Sequence, residues 1–152
     1  MTALAQLKEL SKAHSRRKYP TLPEAARCTR NYSDKTANGL QKAIMDFLQF
    51  SGHQCERIAV TGRYIDNTKV VTDTFGFKRK IGSGKWIKGS MQPGSADLSA
   101  VIFGRAVKIE IKMKDKQSEA QKKYQEQIER AGGLYWLVRS FEEFMNYYNQ
   151  II

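Results

Sequence analysis

Residues 97–112 read DLSAVIFGRAVKIEIK, and this stretch predicts the centre of the fold. Two runs rich in β-branched residues surround Gly104-Arg105. Such a pair can form the two-residue turn of a β-hairpin. With this turn, Phe103 lies opposite Ala106, and the residue numbers of each cross-strand pair add up to 209. The stretch is therefore predicted to form two neighbouring antiparallel strands.

The predicted register separates polar from apolar side chains. Successive side chains of a strand point to opposite faces, and directly opposed residues share a face. Asp97 then lies opposite Lys112, and Ser99 lies opposite Glu110, all on one polar face. The other face carries only apolar side chains, namely Leu98, Ala100, Ile102, Val107, Ile109 and Ile111. We therefore expect one buried face and one face with two carboxylates and an ammonium group.

The polar face predicts a site for a hard divalent cation. Two close carboxylates repel each other unless a cation lies between them. Oxygen ligands without His or Cys favour Mg²⁺ or Mn²⁺. Such an ion orients a phosphate and lowers the pKa of a bound water. Lys112 could position that water, help to deprotonate it or neutralise the charge of the pentavalent phosphate. The expected chemistry is metal-assisted hydrolysis of a phosphodiester bond. The alternative is a solvated face on which Asp97 and Lys112 form an ion pair.

The remaining patterns predict a mixed α/β fold around one sheet. Ser118 and Gln121 have the spacing of a helix capping box. In chain order, the predicted elements are a helix over the first dozen residues, a basic arm from about residue 14 to 34, a helix at 36–50 ended by Gly52, a strand at 57–65, the hairpin, a helix after Ser118, a strand at 134–138 and a helix after Ser140. We divide the chain into a helix and arm at 1–34 and a main domain at 35–152.

The composition limits the classes of protein that the chain can represent. The chain has 152 residues and a net charge of +11, with 41% hydrophobic residues. No apolar run approaches the roughly 20 residues of a membrane helix, and the start lacks signal-peptide features. The two cysteines and two histidines fit neither a disulfide framework nor a zinc site. We predict a cytoplasmic protein with free thiols, no membrane partner and a polyanionic partner, most often a nucleic acid.

Two segments concentrate the positive charge and are predicted to contact nucleic acid. The arm contains Arg16, Arg17 and Lys18, which could grip phosphates, embrace a second subunit or belong to a poorly ordered leader. The segment from residue 66 to 94 mixes aromatic residues with Lys78, Arg79, Lys80, Lys85 and Lys88. This mixture suits backbone contact and base stacking, or else a twisted hairpin with inward aromatics. The run at 82–85 lacks the spacing of a phosphate-binding P-loop.

Four motifs together resemble a known nuclease superfamily. They are Pro93-Gly94-Ser95-Ala96-Asp97, Glu110-Ile111-Lys112, Gln117-Ser118-x-x-Gln121 and Ala131-Gly132-Gly133. The pattern resembles the PD-(D/E)xK nucleases, and within them the VRR-NUC group, which is similar to archaeal-type Holliday junction resolvases. The resemblance covers residues from about 36 to 138.

The resemblance implies a fold and a set of roles. The fold is a restriction-endonuclease-like αβββαβ core, a mixed sheet flanked by helices. The metal ligands are Asp97, Glu110 and the carbonyl of Ile111, Lys112 is catalytic, and Gln121 reaches the site from its helix. Gln121 could equally serve only as a helix cap. The expected activity is that of a DNA endonuclease of repair or recombination, which cuts branched or flapped DNA. Paired cuts would require a homodimer.

The first core helix departs from the family pattern, which usually places a Glu near the metal. This stretch has no Glu, and Asn38, Gln41 or Asp34 could take its place. The absence motivates a second hypothesis, a nuclease-fold module that binds DNA without cutting it. A third hypothesis, suggested by charge alone, is an RNA-binding protein of the translation machinery. For the nuclease, Ser95 and Ser99 are further candidates for phosphate contacts.

Overall fold

The computed structural model describes residues 2–59, 62–89 and 91–152. In chain order the elements are α1 (Ala3–Lys18), a 3₁₀ turn (Glu24–Ala26), α2 (Ala37–Phe50), β1 (Gln54–Arg57), β2 (Arg63–Asp66), β3 (Lys69–Thr72), β4 (Lys78–Ile81), β5 (Gly84–Ile87), β6 (Leu98–Ile102), β7 (Arg105–Ile111), α3 (Glu119–Arg130), β8 (Leu134–Val138) and α4 (Phe141–Gln150). The chain forms two compact units, Met1–Ile58 with Gly94–Ile152, and Ala59–Pro93. The boundary after residue 34 stays a prediction.

The larger unit is built on a mixed sheet flanked by helices, as the sequence predicts. Among the described residues, four strands form this sheet in the order β1-β6-β7-β8. Neighbours are antiparallel except β7 and β8, which are parallel because α3 connects them. With the smaller unit set aside, the sheet and its connecting helices follow the order α2-β1-β6-β7-α3-β8.

The predicted turn at Gly104-Arg105 is wrong by one residue. Ile102 pairs with Arg105, so the turn is Phe103-Gly104, with φ angles of 48° and 78°. Two central residues with positive φ match the twist of a tight hairpin. The ring of Phe103 lies 4.7 Å from that of His53, a contact that helps to hold this unusual backbone.

The correct pairs add up to 207, so Ser99 lies opposite Lys108 rather than Glu110. Asp97 precedes β6 and is likewise not aligned with Lys112. The register shifts by two residues, and an even shift leaves every side chain on its predicted face.

The apolar face of the hairpin is buried, as predicted. Its six side chains join a core with residues from α1, α2 and α4, including Leu7, Leu40, Ile44, Phe141 and Phe144. Burial of each such large side chain stabilises the fold by roughly 1.5–3 kcal/mol. On the opposite side of the sheet, Tyr124 and Ile128 of α3 pack with Tyr135 and Ala96. The polar face therefore lies beneath α3.

Two further sequence expectations need correction. The first helix continues to Lys18, so Arg16, Arg17 and Lys18 form its last turn instead of an extended arm. Basic residues in the last turn of a helix complement its dipole, which accounts for the extension. The strand predicted at 57–65 is also wrong, because β1 ends at Arg57 and β2 begins at Arg63. Residues 60 and 61 of that predicted strand lie outside the described residues. The same holds for residue 1 of the first predicted helix and for residue 90 of the predicted basic segment.

The smaller unit consists of two antiparallel strand pairs, β2 with β5 and β3 with β4. No helix of the described residues is long and apolar enough to cross a bilayer.

Candidate functional site

Glu110 is the most deeply buried charged residue of the polar face. It lies near the end of β7 and is 3% exposed. Its Oε1 accepts a hydrogen bond from Nε2 of Gln121 at 2.5 Å and lies 3.2 Å from Nζ of Lys112. Its Oε2 is buried and has no hydrogen-bond partner among the described residues. One carboxylate oxygen is therefore held by two donors, while the other is left for a further positive group.

Asp97, directly before β6, accepts hydrogen bonds from backbone amides of two other segments. Its Oδ2 accepts a hydrogen bond from the amide of Ile111 at 2.9 Å, and its carbonyl accepts one from the amide of Ile58 at 2.8 Å. Ile111 is the last residue of β7, and its side chain lies in the apolar core. The two carboxylates thus sit at the same end of the β6–β7 pair.

Burial is the main electrostatic feature of the carboxylate pair. Desolvation, reinforced by the charge of Asp97, raises the pKa of Glu110, and Lys112 and Gln121 oppose this shift. A buried carboxylate beside a second one is costly unless a cation compensates both charges. Oε2 of Glu110, which has no partner among the described residues, and the carboxylate of Asp97 supply oxygen ligands of the kind that a hard divalent cation prefers.

Lys112 follows directly after β7, where the parallel pairing continues. Its amide donates to the carbonyl of Val138 at 3.0 Å, which fixes the backbone beside the site. Its side chain is mostly buried, and its ammonium group contacts Glu110. The ammonium is consequently held beside the carboxylates at the edge of the site.

Gln121 performs both of the roles that the sequence left open. Its Oε1 accepts from the amide of Ser118 at 3.0 Å, and its own amide donates to Oγ of Ser118, which completes a capping box. Its Nε2 simultaneously donates to Glu110. A side-chain amide has separate donor and acceptor ends, so the two roles are compatible.

A glycine brings the loop before Asp97 close to the start of α3. Gly94 has a φ of 80°, and a Cβ at this position would overlap with the backbone of Ala120. Ser95 and Ala96, which follow, are buried. The loop that carries Asp97 therefore packs directly against the helix that carries Gln121.

Tyr135 belongs to the same environment, although the sequence did not single it out. Burial, with the charge of Glu110 as the next cause, raises the pKa of Tyr135 to about 12, so its hydroxyl stays protonated. It lies opposite Lys108 in the β7–β8 register, which places it on the polar face. The run at 134–138 is apolar throughout, and only the alternation of faces could have indicated its role.

The other predicted contacts have partners of their own, are exposed or belong to the smaller unit. Oγ of Ser99 accepts a hydrogen bond from Nζ of Lys108 at 2.6 Å. Arg16 forms an ion pair with Glu24, and Arg17 and Lys18 are exposed. The remaining predicted nucleic-acid contacts are exposed residues of the smaller unit, namely Lys78, Arg79, Lys80, Lys85 and Lys88.

The candidates for the missing family carboxylate differ in their surroundings. Oδ2 of Asp34 accepts from the amide of Phe141 at 3.0 Å, so Asp34 caps α4. Asn38 is exposed and Gln41 is buried. Asp46, the acidic residue of α2, is bound by Arg30 and Tyr32. Among the described residues, no cluster of three or more His, Cys, Asp and Glu side chains is arranged to hold a metal.

Comparison with known proteins gives no match to a protein family, a curated protein or a solved structure. The residues of the site therefore carry the functional interpretation by themselves.

Proposed function

We propose that this protein is a metal-dependent DNA endonuclease that hydrolyses phosphodiester bonds and is selective for branched or flapped DNA. The observation that carries the proposal is the carboxylate of Glu110, whose buried Oε2 has no partner among the described residues. The carboxylate of Asp97, the ammonium of Lys112 and the amide of Gln121 surround it. The α2-β1-β6-β7-α3-β8 order supports the proposal, because it has the αβββαβ succession that the nuclease resemblance implies.

Each residue of the site has a role in this proposal. Asp97, Glu110 and the carbonyl of Ile111 would hold Mg²⁺ or Mn²⁺. The bound ion would supply Lewis-acid chemistry, which lowers the pKa of a water and stabilises developing negative charge on phosphate oxygens. Lys112 orients the attacking water or neutralises the charge of the phosphate as it is attacked. Gln121 holds Oε1 of Glu110, so that the carboxylate keeps one orientation.

A cleavage assay tests the proposal directly. Labelled duplex, single-stranded, flapped and four-way-junction DNA would be incubated with Mg²⁺ or Mn²⁺ and the wild-type protein. We expect cutting that requires the metal and is lost in Asp97→Asn and in Lys112→Ala. The matched controls are Asp115→Asn and Lys42→Ala, which change the same residue types at exposed positions. Equal activity in the site variants and the controls would contradict the proposal.

A second candidate function is a DNA-binding module that has lost cleavage. The observation that favours it is the lack of a described α2 carboxylate beside Glu110, since Asp46 is engaged by Arg30 and Tyr32. Binding to DNA without cutting under any divalent metal would support this function. Cutting that a chelator abolishes would exclude it.

A further inference from the structure

We propose that residues 63–87 form a β-ribbon that binds duplex DNA by lying in one of its grooves. The β-ribbon is defined here as strands β2 to β5 with their connecting turns. This inference rests on the proposed function, because DNA is the partner in both. It adds which element of the protein holds the DNA and where on the DNA that element binds. It concerns the smaller unit by itself.

The two strand pairs of the smaller unit form separate two-stranded sheets that follow one another in the same register. The residue numbers of the paired residues add up to 150 in both pairs, so the register is preserved between them. The pairs are separated only by 67–68 on one side and 82–83 on the other. Gly82 packs so closely against Asn67 that a Cβ would overlap with the carbonyl oxygen of Asn67, and Thr68 lies nearly as close. At about 3.3 Å per residue, ten residues per side give a ribbon roughly 30 Å long.

The acidic residues of the β-ribbon are used to shape its turns. Asp66 accepts hydrogen bonds from the amide and hydroxyl of Thr68. Asp73 accepts from the amides of Phe75 and Phe77 and pairs with Arg79. The ribbon contains six Lys and Arg residues and only these two acidic residues, so its net charge is +4. The excess positive charge is complementary to a phosphate backbone.

The cations occupy both faces of the ribbon. Within the β3–β4 pair, Lys69 and Arg79 share one face, while Lys78 and Lys80 share the other. A platform for a single strand would collect its cations on one face. The major groove of DNA has phosphates along both walls and is wide enough to admit a two-stranded β-ribbon, and β-strands of DNA-binding proteins also occupy the minor groove. The distribution of charge therefore favours a duplex over a single strand.

Exposed aromatic side chains add a second kind of contact. Tyr64 and Trp86 form a cross-strand pair and are each 60% exposed. At the tip, Phe75 is 86% exposed and Phe77 is 69% exposed. Apolar side chains on groove-binding arms can act as wedges between base pairs. The tip thus offers a wedge, and the strands behind it offer cations.

The first experiment measures how binding depends on salt. Fluorescence anisotropy with labelled duplex would compare the Glu110→Gln protein with the same protein carrying Lys78→Ala and Lys80→Ala. Each phosphate contact contributes about 0.9 to the slope of log affinity against log salt. We therefore expect the slope to fall by nearly 2 and the affinity for duplex to fall at least tenfold. A protein with Lys8→Ala and Lys42→Ala loses the same charge from α1 and α2, and should keep the slope within about 0.5.

The outcomes separate this inference from the proposed function. An unchanged slope in the ribbon variant overturns the inference, even if the wild-type protein cuts DNA. Tighter binding to a single strand than to a duplex, with the same loss in the ribbon variant, also overturns it. A loss confined to the ribbon variant supports the inference, even if no cutting is found and the proposed endonuclease fails.

The second experiment tests the tip. A duplex with 2-aminopurine reports local unstacking as an increase in fluorescence. We expect the Glu110→Gln protein to raise the signal and the added Phe75→Ser change to abolish the rise. A Phe103→Ser change, at an exposed turn of the larger unit, is the matched control and should leave the rise intact. A rise that survives Phe75→Ser would overturn the wedge at the tip.

Discussion

Nε2 of Gln121 at the start of α3 donates a hydrogen bond to Oε1 of Glu110 on β7 over 2.5 Å. The other end of the same amide accepts from the amide of Ser118 and closes the capping box. A single side chain therefore ties the beginning of a helix to the buried carboxylate of the site. Helix stability and carboxylate orientation are coupled through Gln121, and substitutions can separate them.

The first prediction separates the two roles of Gln121. Ser118→Ala removes the side-chain cap but leaves the amide contact to Glu110, so it should lower the free energy of unfolding by about 1 kcal/mol and keep cleavage. Gln121→Ala should cost a similar amount of stability and also slow cleavage about tenfold, because Glu110 loses a donor. Denaturant unfolding and cleavage rates check both variants. If Ser118→Ala slows cleavage as much as Gln121→Ala does, loss of the helix cap alone would account for the slower cleavage.

The second prediction concerns the ammonium group of Lys112. Lys112→Met keeps an unbranched side chain that is one atom shorter and removes its charge, so the water or phosphate beside the site loses its positive partner. We expect cleavage to fall by roughly 10²-fold or more, as for loss of a group that stabilises charge in the transition state. Affinity for DNA should change less than about threefold, since this ammonium is mostly buried. Lys42→Met is the control, and a comparable loss of rate there would contradict a special role for Lys112.

The third prediction concerns stabilisation by divalent cations. A cation that binds only the folded protein at a hundred times its Kd adds about 2.7 kcal/mol to the free energy of unfolding. For a domain of this size, the unfolding midpoint should rise by roughly 5–10 °C when Mn²⁺ is added. Glu110→Gln should abolish the rise, and Glu126→Gln, at an exposed position on α3, should preserve it. A rise that persists in Glu110→Gln would place the cation elsewhere.

The fourth prediction compares two glycines of the larger unit. Gly94 and Gly52 both have positive φ, 80° and 84°, but only Gly94 has close neighbours where a Cβ would lie. Gly52→Ala should cost only the backbone strain, roughly 1–2 kcal/mol. Gly94→Ala should cost more, because the loop must move away from α3, and it should also weaken cation binding. Thermal unfolding with and without Mn²⁺ measures both effects, and equal costs would show that the packing against α3 is unimportant.

The fifth prediction concerns the two cysteines. Burial, followed by the charge of Glu56, raises the pKa of Cys55 to about 11, whereas Cys28 is exposed. At pH 8 little of the Cys55 thiol is ionised, and a thiol reagent should find one fast group per native chain and two per unfolded chain. Cys28→Ser should remove the fast phase. Since the unfolded thiol ionises first, the free energy of unfolding should also decline as the pH rises from about 9 towards 11. If both thiols of the native protein react fast, the prediction that burial protects Cys55 is wrong.

The alternation at 98–111 was sufficient to predict the two faces of the hairpin. A register error of two residues does not move a side chain across a sheet, because the period of a strand is two. The apolar core and the polar carboxylate face were therefore predictable, although the turn was not. The turn at Phe103-Gly104 requires positive φ at both residues. Phe rarely adopts positive φ, so the sequence did not indicate a turn at this position.

The alternating pattern of the sequence does not predict the contacts within the site. Asp97 accepting from Ile111, the contact of Gln121 with Glu110 and the place of Tyr135 all join residues on different elements. No local preference specifies such contacts. They depend on how α3 packs over the sheet, and the close approach at Gly94 is part of that packing.

The sequence by itself determined the alternating faces, the capping box at Ser118 and the excess of positive charge, because each follows from local periodicity or composition. Only the tertiary structure decided which carboxylate is buried, which of its oxygens lacks a hydrogen-bond partner among the described residues and that the two basic strand pairs keep one register. The physical reason is that burial and pairing are properties of neighbours in space. Their energies depend on distance and on exclusion of water, which for the carboxylates the chain establishes only when α3 covers the sheet of the larger unit.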